Sequence, residues 1–135
     1  MILEDQLYSE FVARNNSFLI GIRGEIKWEH EKFINLIVLM KKYIIKTEND
    51  SCIDRNFLKG YWYFSSFIPQ WTSHDNFRRK NEYSKEYYET AYKLILLLYN
   101  WFVNGNSGIN ERNREEYEEY LMKLTSIFEE GGYNT

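Results

Sequence analysis

Residues Arg114 to Glu130 read REEYEEYLMKLTSIFEE, and their spacing decides between helix and strand. At 100° per residue, Tyr117, Tyr120, Leu121, Leu124 and Phe128 fall on one face, while Glu115, Glu118, Glu119, Glu129 and Glu130 fall on the sides and back. One face is built to pack and the other presents carboxylates. Strand alternation would scatter both sets.

The same period runs upstream. Residues 82–104 carry Tyr83, Tyr87, Ala91, Leu94, Leu98 and Trp101 on one stripe and Tyr88, Tyr92, Ile95, Tyr99 and Phe102 on the next. Only a narrow wedge with Glu86, Glu89, Lys93 and Asn100 is polar, which marks a central helix. Gly105 suits the left-handed closing position. A link at 106–110 leads to the last helix, where Asn113 and Glu116 have capping-box spacing and Gly131 and Gly132 close it. Further back, helices are expected over 3–14, 24–46 and 52–68. The 24–46 segment shows two apolar stripes, one with Ile26, His30, Phe33, Ile34, Ile37 and Ile44 and the other with Leu36, Leu39 and Tyr43. Residues 17–22, SFLIGI, read as a helical turn. Asp50 or Ser51 is the expected cap before residue 52, and Pro69 the expected stop. Residues 69–80 then read as the longest aperiodic loop. The expectation is an all-α fold, an irregular up-and-down bundle of about five helices in one domain spanning residues 1–135.

Composition narrows the function. The chain has 135 residues, one cysteine and two histidines, and 19% of it is aromatic, with 12 tyrosines. Lone Cys52 and an opening without a basic-then-apolar leader point to the cytoplasm. The apolar run 91–103 is too short to span a bilayer, which needs roughly 20 residues. Net charge is −3, distributed unevenly: +2 over residues 1–81 and −5 over 82–135. Acid gathered at one end disfavours nucleic acid and attracts a basic protein. Twelve tyrosines can leave rings buried and hydroxyls wet, a semi-polar and adhesive surface.

The residue three before His30 is Lys27 and three before His74 is Trp71, so the Glu-x-x-His pairs of di-iron bundles are missing, and one Cys with two His makes a zinc site unusual. No cofactor is expected. The R-x-x-x-x-H pattern of HEPN-type helical ribonucleases fails as well, because Glu25 and Pro69 stand five before the histidines. His30 reads as a core histidine. His74, beside Asp75 and followed by Arg78 and Arg79, supports an alternative: a small nucleic-acid-processing enzyme in which His74 moves a proton and the arginines hold phosphate.

In size, acidity, Tyr and Trp content and cytosolic character, the chain resembles the small immunity proteins that bacteria make against their own nuclease toxins, including those of contact-dependent inhibition systems. That resemblance implies a non-catalytic role, binding a basic toxin domain and blocking it. The residues expected to make the contact are Glu115, Glu118, Glu119 and Glu129, with Glu86, Glu89 and Tyr88 as neighbours and Trp71 as an aromatic anchor. An inhibitor of a host defence complex carried by a phage or mobile element would need the same charged decoy surface.

Overall fold

The structure, a computed structural model, describes residues 2–105 and 112–131; the expected 106–110 link and Gly132 lie outside the described residues. Among the described residues there are seven α-helices and no β-strand. They are α1 (Leu3–Phe11), α2 (Phe18–Ile20), α3 (His30–Thr47), α4 (Arg55–Thr72), α5 (Asp75–Lys80), α6 (Lys85–Asn104) and α7 (Asn113–Glu129), with a π-helical turn at Gly21–Glu25 after α2. Five have nine or more residues, and the two short ones account for the number above the expected five.

Helix α6 is central. It packs against α3, α4 and α7, while α1 lies on α3 and α4. Both of its apolar stripes are used: Tyr87, Tyr88, Ala91, Leu94, Ile95, Leu98, Trp101 and Phe102 are all buried. Both stripes of α3 are buried too, because α1 and α6 flank it. Buried residues from all seven helices form one contiguous cluster rich in rings. Phe18 meets Trp28 edge-on, Tyr61 stacks on Phe102, and the Tyr61 hydroxyl donates to the Met40 carbonyl at 2.8 Å. At the crossing of α1 and α4, a Cβ on Gly60 would come within 2.2 Å of the Phe11 ring. Glycine lets these two helices touch.

Several boundaries differ from the sequence reading, each for a local reason. Pro69 does not stop α4, which continues to Thr72. In the last turns a proline forfeits one backbone bond, and burial of Ile68 and Thr72 offsets that loss. The start of α4 is set by Asp54, not by Asp50 or Ser51: its Oδ1 accepts from the Asn56 and Phe57 amides at 2.8 and 3.3 Å. Ser84 caps α6 in the same way, accepting from Tyr87 N at 3.1 Å. No capping box forms at α7. Arg112 holds the N-cap position without a side-chain bond, and Asn113 is the first helical residue, with its side chain turned inward. The expected loop at 69–80 is mostly helix, because α4 runs on and α5 plugs Phe77 into the core. Residues 26–29 break what was read as one helix from 24 to 46. Ile26 there sits in the left-handed region, at φ 52° and ψ 50°.

Candidate functional site

Tyr117 and Leu124 bury one side of α7, so its opposite side faces outward. Met122 lies at the centre of that outer stripe and is 69% exposed, more than any other large apolar side chain described. At 100° per residue, Glu115, Glu118, Glu119, Ser126 and Glu129 fall within about 60° of it. The stripe is thus an apolar side chain ringed by four carboxylates. Helix α7 runs antiparallel to α6, with the Arg114 guanidinium over Trp101 at one end and Phe128 against Tyr83 at the other.

The chain's own cations meet most of these carboxylates. Glu115 and Glu119 share Arg112 at 3.5 and 3.8 Å, and Glu118 reaches Lys41 of α3 at 3.6 Å. Glu86 reaches Lys123 at 3.5 Å, so α6 and α7 are joined there, and Glu89 pairs with Lys85 at 3.7 Å. Every one of these five carboxylates is more than half exposed. Exposed pairs at such distances contribute little to stability and are screened by salt, so either partner can exchange for an external charge. They also cancel part of the acidity seen in the sequence. Glu129 stands exposed in the last turn, where no basic residue accompanies it. A carboxylate there opposes the negative end of the helix dipole.

Two expected contact residues are not on this surface. Tyr88 is fully buried: its ring is enclosed by Trp28, Tyr83 and Tyr87, the Arg78 guanidinium covers it at 3.8 Å, and its hydroxyl donates to the Asn81 carbonyl. Trp71 is 43% exposed but belongs to the corner of α4 and α5, stacked on Phe67 and beside His74 and Phe77. It therefore stands apart from the α7 stripe. Of the 11 tyrosines among the described residues, Tyr43, Tyr61, Tyr83, Tyr87, Tyr88 and Tyr117 are buried, and the other five, led by Tyr8, reach the surface at least in part.

Two of the buried tyrosines, Tyr83 and Tyr87, build a buried polar cluster. Trp28 Nε1 donates to the Tyr87 hydroxyl at 2.8 Å, and the same oxygen lies 2.7 Å from His30 Nδ1. Trp28 Nε1 can only donate, so the Tyr87 oxygen accepts from it, and the direction of its bond to His30 follows the imidazole tautomer. The His30 ring stacks on Phe128 at 3.8 Å, and burial lowers its pKa to about 4, which keeps it neutral. Asn81 clamps the strained segment: Oδ1 accepts from Trp28 N at 2.8 Å and Nδ2 donates to the Ile26 carbonyl at 2.9 Å. Tyr83 adds a bond from its hydroxyl to the Trp28 carbonyl at 3.1 Å. His30 is a core histidine, held and silenced.

The groups of the enzymatic alternative are not assembled. Arg78 Nε donates to the Thr72 carbonyl at 2.8 Å and its terminal nitrogen to the Tyr92 hydroxyl at 3.2 Å, so the guanidinium ties α4 to α6. His74 and Arg79 are exposed on α5 and its N-cap. The sequence reading missed Glu48, whose nearly buried carboxylate accepts from Trp101 Nε1 at 3.2 Å and pairs with Arg114, joining α3, α6 and α7. Nothing in the polar run 47–51 singles it out.

No protein-family model matches the chain, and neither does any curated protein or solved structure compared with it. Among the described residues, no group of three or more His, Cys, Asp or Glu is placed to hold a metal, and no helix is long and apolar enough to cross a membrane.

Proposed function

We propose that the protein is a stoichiometric binding protein that neutralises a cationic protein partner in the cytoplasm through the outer stripe of α7. This is the role class of the immunity proteins that bacteria direct against nuclease toxins. The observation that carries it is Met122, exposed at the centre of Glu115, Glu118, Glu119 and Glu129. An apolar anchor ringed by charge is how protein interfaces divide affinity from steering. Glu129 in the last turn and Glu130 at the C-cap, set against the helix dipole, indicate that this surface is not tuned for stability alone.

Glu86 extends the stripe onto α6 through its link to Lys123, and Glu89 stands one turn further along α6. Docking would exchange the weak internal pairs to Arg112, Lys41 and Lys123 for the partner's lysines and arginines. The enzymatic reading is weaker, because Arg78 is committed to Thr72, Tyr92 and Tyr88. An inhibitor carried by a phage or mobile element would use the same chemistry, and gene neighbourhood separates the two.

The test is co-purification from the producing cells. Wild type is expected to retain one basic protein, whose activity it blocks at a one-to-one ratio. The Glu115→Lys/Glu119→Lys variant is expected to lose it while keeping its helical circular dichroism. Retention of the same protein by that variant would reject the α7 site.

A further inference from the structure

Trp71 and His74 stand out in the sequence, and the α7 stripe uses neither. They line a cleft of about 240 Å³ with Ile26, Asn76 and Phe77, at the corner where α4 meets α5. Two rings and an aliphatic chain make its apolar walls, and its polar groups are the His74 imidazole and the Asn76 amide. Both are exposed, and neither side chain is hydrogen-bonded within the described residues. Trp71 ends a ladder of nearly parallel rings along α4: Tyr63 stacks on Phe67 at 5.1 Å and Phe67 on Trp71 at 5.5 Å. Phe67 therefore covers one side of the indole, yet the indole remains 43% exposed. Another wall comes from the break at 26–29. There Ile26 sits at φ 52° and ψ 50°, a strained position for a β-branched residue, and its carbonyl is held by Asn81 Nδ2. A buried clamp thus fixes one wall of the cleft.

We propose that this cleft binds a planar nitrogen heterocycle carrying an anionic group, the chemistry of an adenine nucleotide. A flat ring stacked on the free side of Trp71 extends the ladder by one step, with Ile26 and Phe77 as its apolar surroundings. Asn76 offers a donor beside an acceptor, the pair that matches the donor–acceptor edge of adenine. Charge selects the tail. On the α5 wheel Arg79 and Lys80 fall within about 60° of Asn76, three and four residues on, where helix neighbours meet. Both are exposed, neither has an ion-pair partner among the described residues, and no carboxylate lines the cleft. Asp75, the acid of α5, lies about 100° round from Asn76, and Glu25 and Lys27 flank Ile26 and offset each other. The volume falls just under the ~300 Å³ at which pockets for whole ligands begin, so it holds one ring and leaves the anionic tail outside, beside those cations. A nucleic-acid strand fits less well. It needs successive platforms, and Phe67, the next ring, is already stacked between Tyr63 and Trp71.

NMR amide and indole correlation spectra of the full chain, titrated with AMP to about 5 mM, test this over the range expected for a single stacked ring. The Trp71 indole and Asn76 side-chain amide signals should shift together and saturate. Adenosine should move the same signals with about fivefold weaker binding, and ribose phosphate should leave them in place. Trp71→Ala should weaken AMP about tenfold or more. Should that variant lose the wild-type spectrum, Asn76→Ala, a change at an exposed site, should still cost about fivefold. Arg79→Glu/Lys80→Glu should bring AMP down to the affinity of adenosine. The proposal is overturned by the absence of a saturating shift at Trp71, by equal binding of AMP and adenosine, or by shifts with ribose phosphate alone. A short oligoadenylate binding more than about tenfold tighter than AMP would overturn it in favour of a strand-binding surface.

Discussion

The polar groups under α6 and those on the outside of α7 behave in opposite ways. Under α6, Trp28, His30, Asn81, Tyr83 and Tyr87 are buried and bonded at 2.7–3.1 Å to partners fixed by packing. On α7, Glu115, Glu118 and Glu119 are exposed and reach cations at 3.5–3.8 Å. Loss of a bond in the first region strands a partner away from water, whereas loss of one in the second lets water replace it. Polar residues in this chain thus divide into a set that specifies the core and a set free to act outside it.

The contrast can be broken by substitution. Tyr87→Phe should have the largest effect, because Trp28 Nε1 and His30 both lose their partner: about 1–3 kcal/mol, read as a fall in Tm of roughly 3–10 °C. An unchanged Tm would mean that the cluster carries no stability. Acidification should act on the same cluster. The folded pKa of His30, about 4, lies below the ordinary 6.5, so the unfolded chain takes up a proton first and stability falls as pH drops from about 6.5 to about 4. After allowance for solvent screening, the loss is about 1–2 kcal/mol, and His30→Gln should flatten that part of the pH profile. Tyr117→Phe should move the other way. Its hydroxyl is buried with no hydrogen-bond partner among the described residues, so removal should be neutral or raise stability by up to about 1 kcal/mol. Smallest of all, Glu115→Lys with Glu119→Lys should shift Tm by less than about 2 °C, as surface substitutions do. A large fall there would turn the stripe into a structural element.

Much of the fold can be read from periodicity. The double stripe of α6 marks a helix with neighbours on several sides, and Gly105, its amide bonded to the Trp101 carbonyl at 2.8 Å, closes it at the expected position, but at φ 63° and ψ −148° and not in the expected left-handed helical conformation. What escaped depends on tertiary context. Whether Pro69 ends α4 is decided by Ile68 and Thr72 finding a core to enter, which spacing along one helix does not reveal. Tyr88 and Glu86 sit two residues apart on the same helix. The helical wheel leaves Tyr88 beside the polar wedge, and only the position of Trp28 and Arg78 encloses it. For the candidate site, the outward glutamates were legible because a charged stripe opposite an apolar one has nowhere else to go. Their pairing with Arg112 and Lys41 was not, since it depends on how α7 meets its own N-cap and α3. Met122 could have been found: on the α7 wheel it stands opposite the packing face.

The most direct test of the α7 stripe is a photo-cross-linking residue placed at Met122, expressed at native level in the producing cells. A single cationic protein should be captured, and capture should vanish with Glu115→Lys/Glu119→Lys or in raised salt. Absence of any adduct, or one indifferent to both charge reversal and salt, would contradict the account.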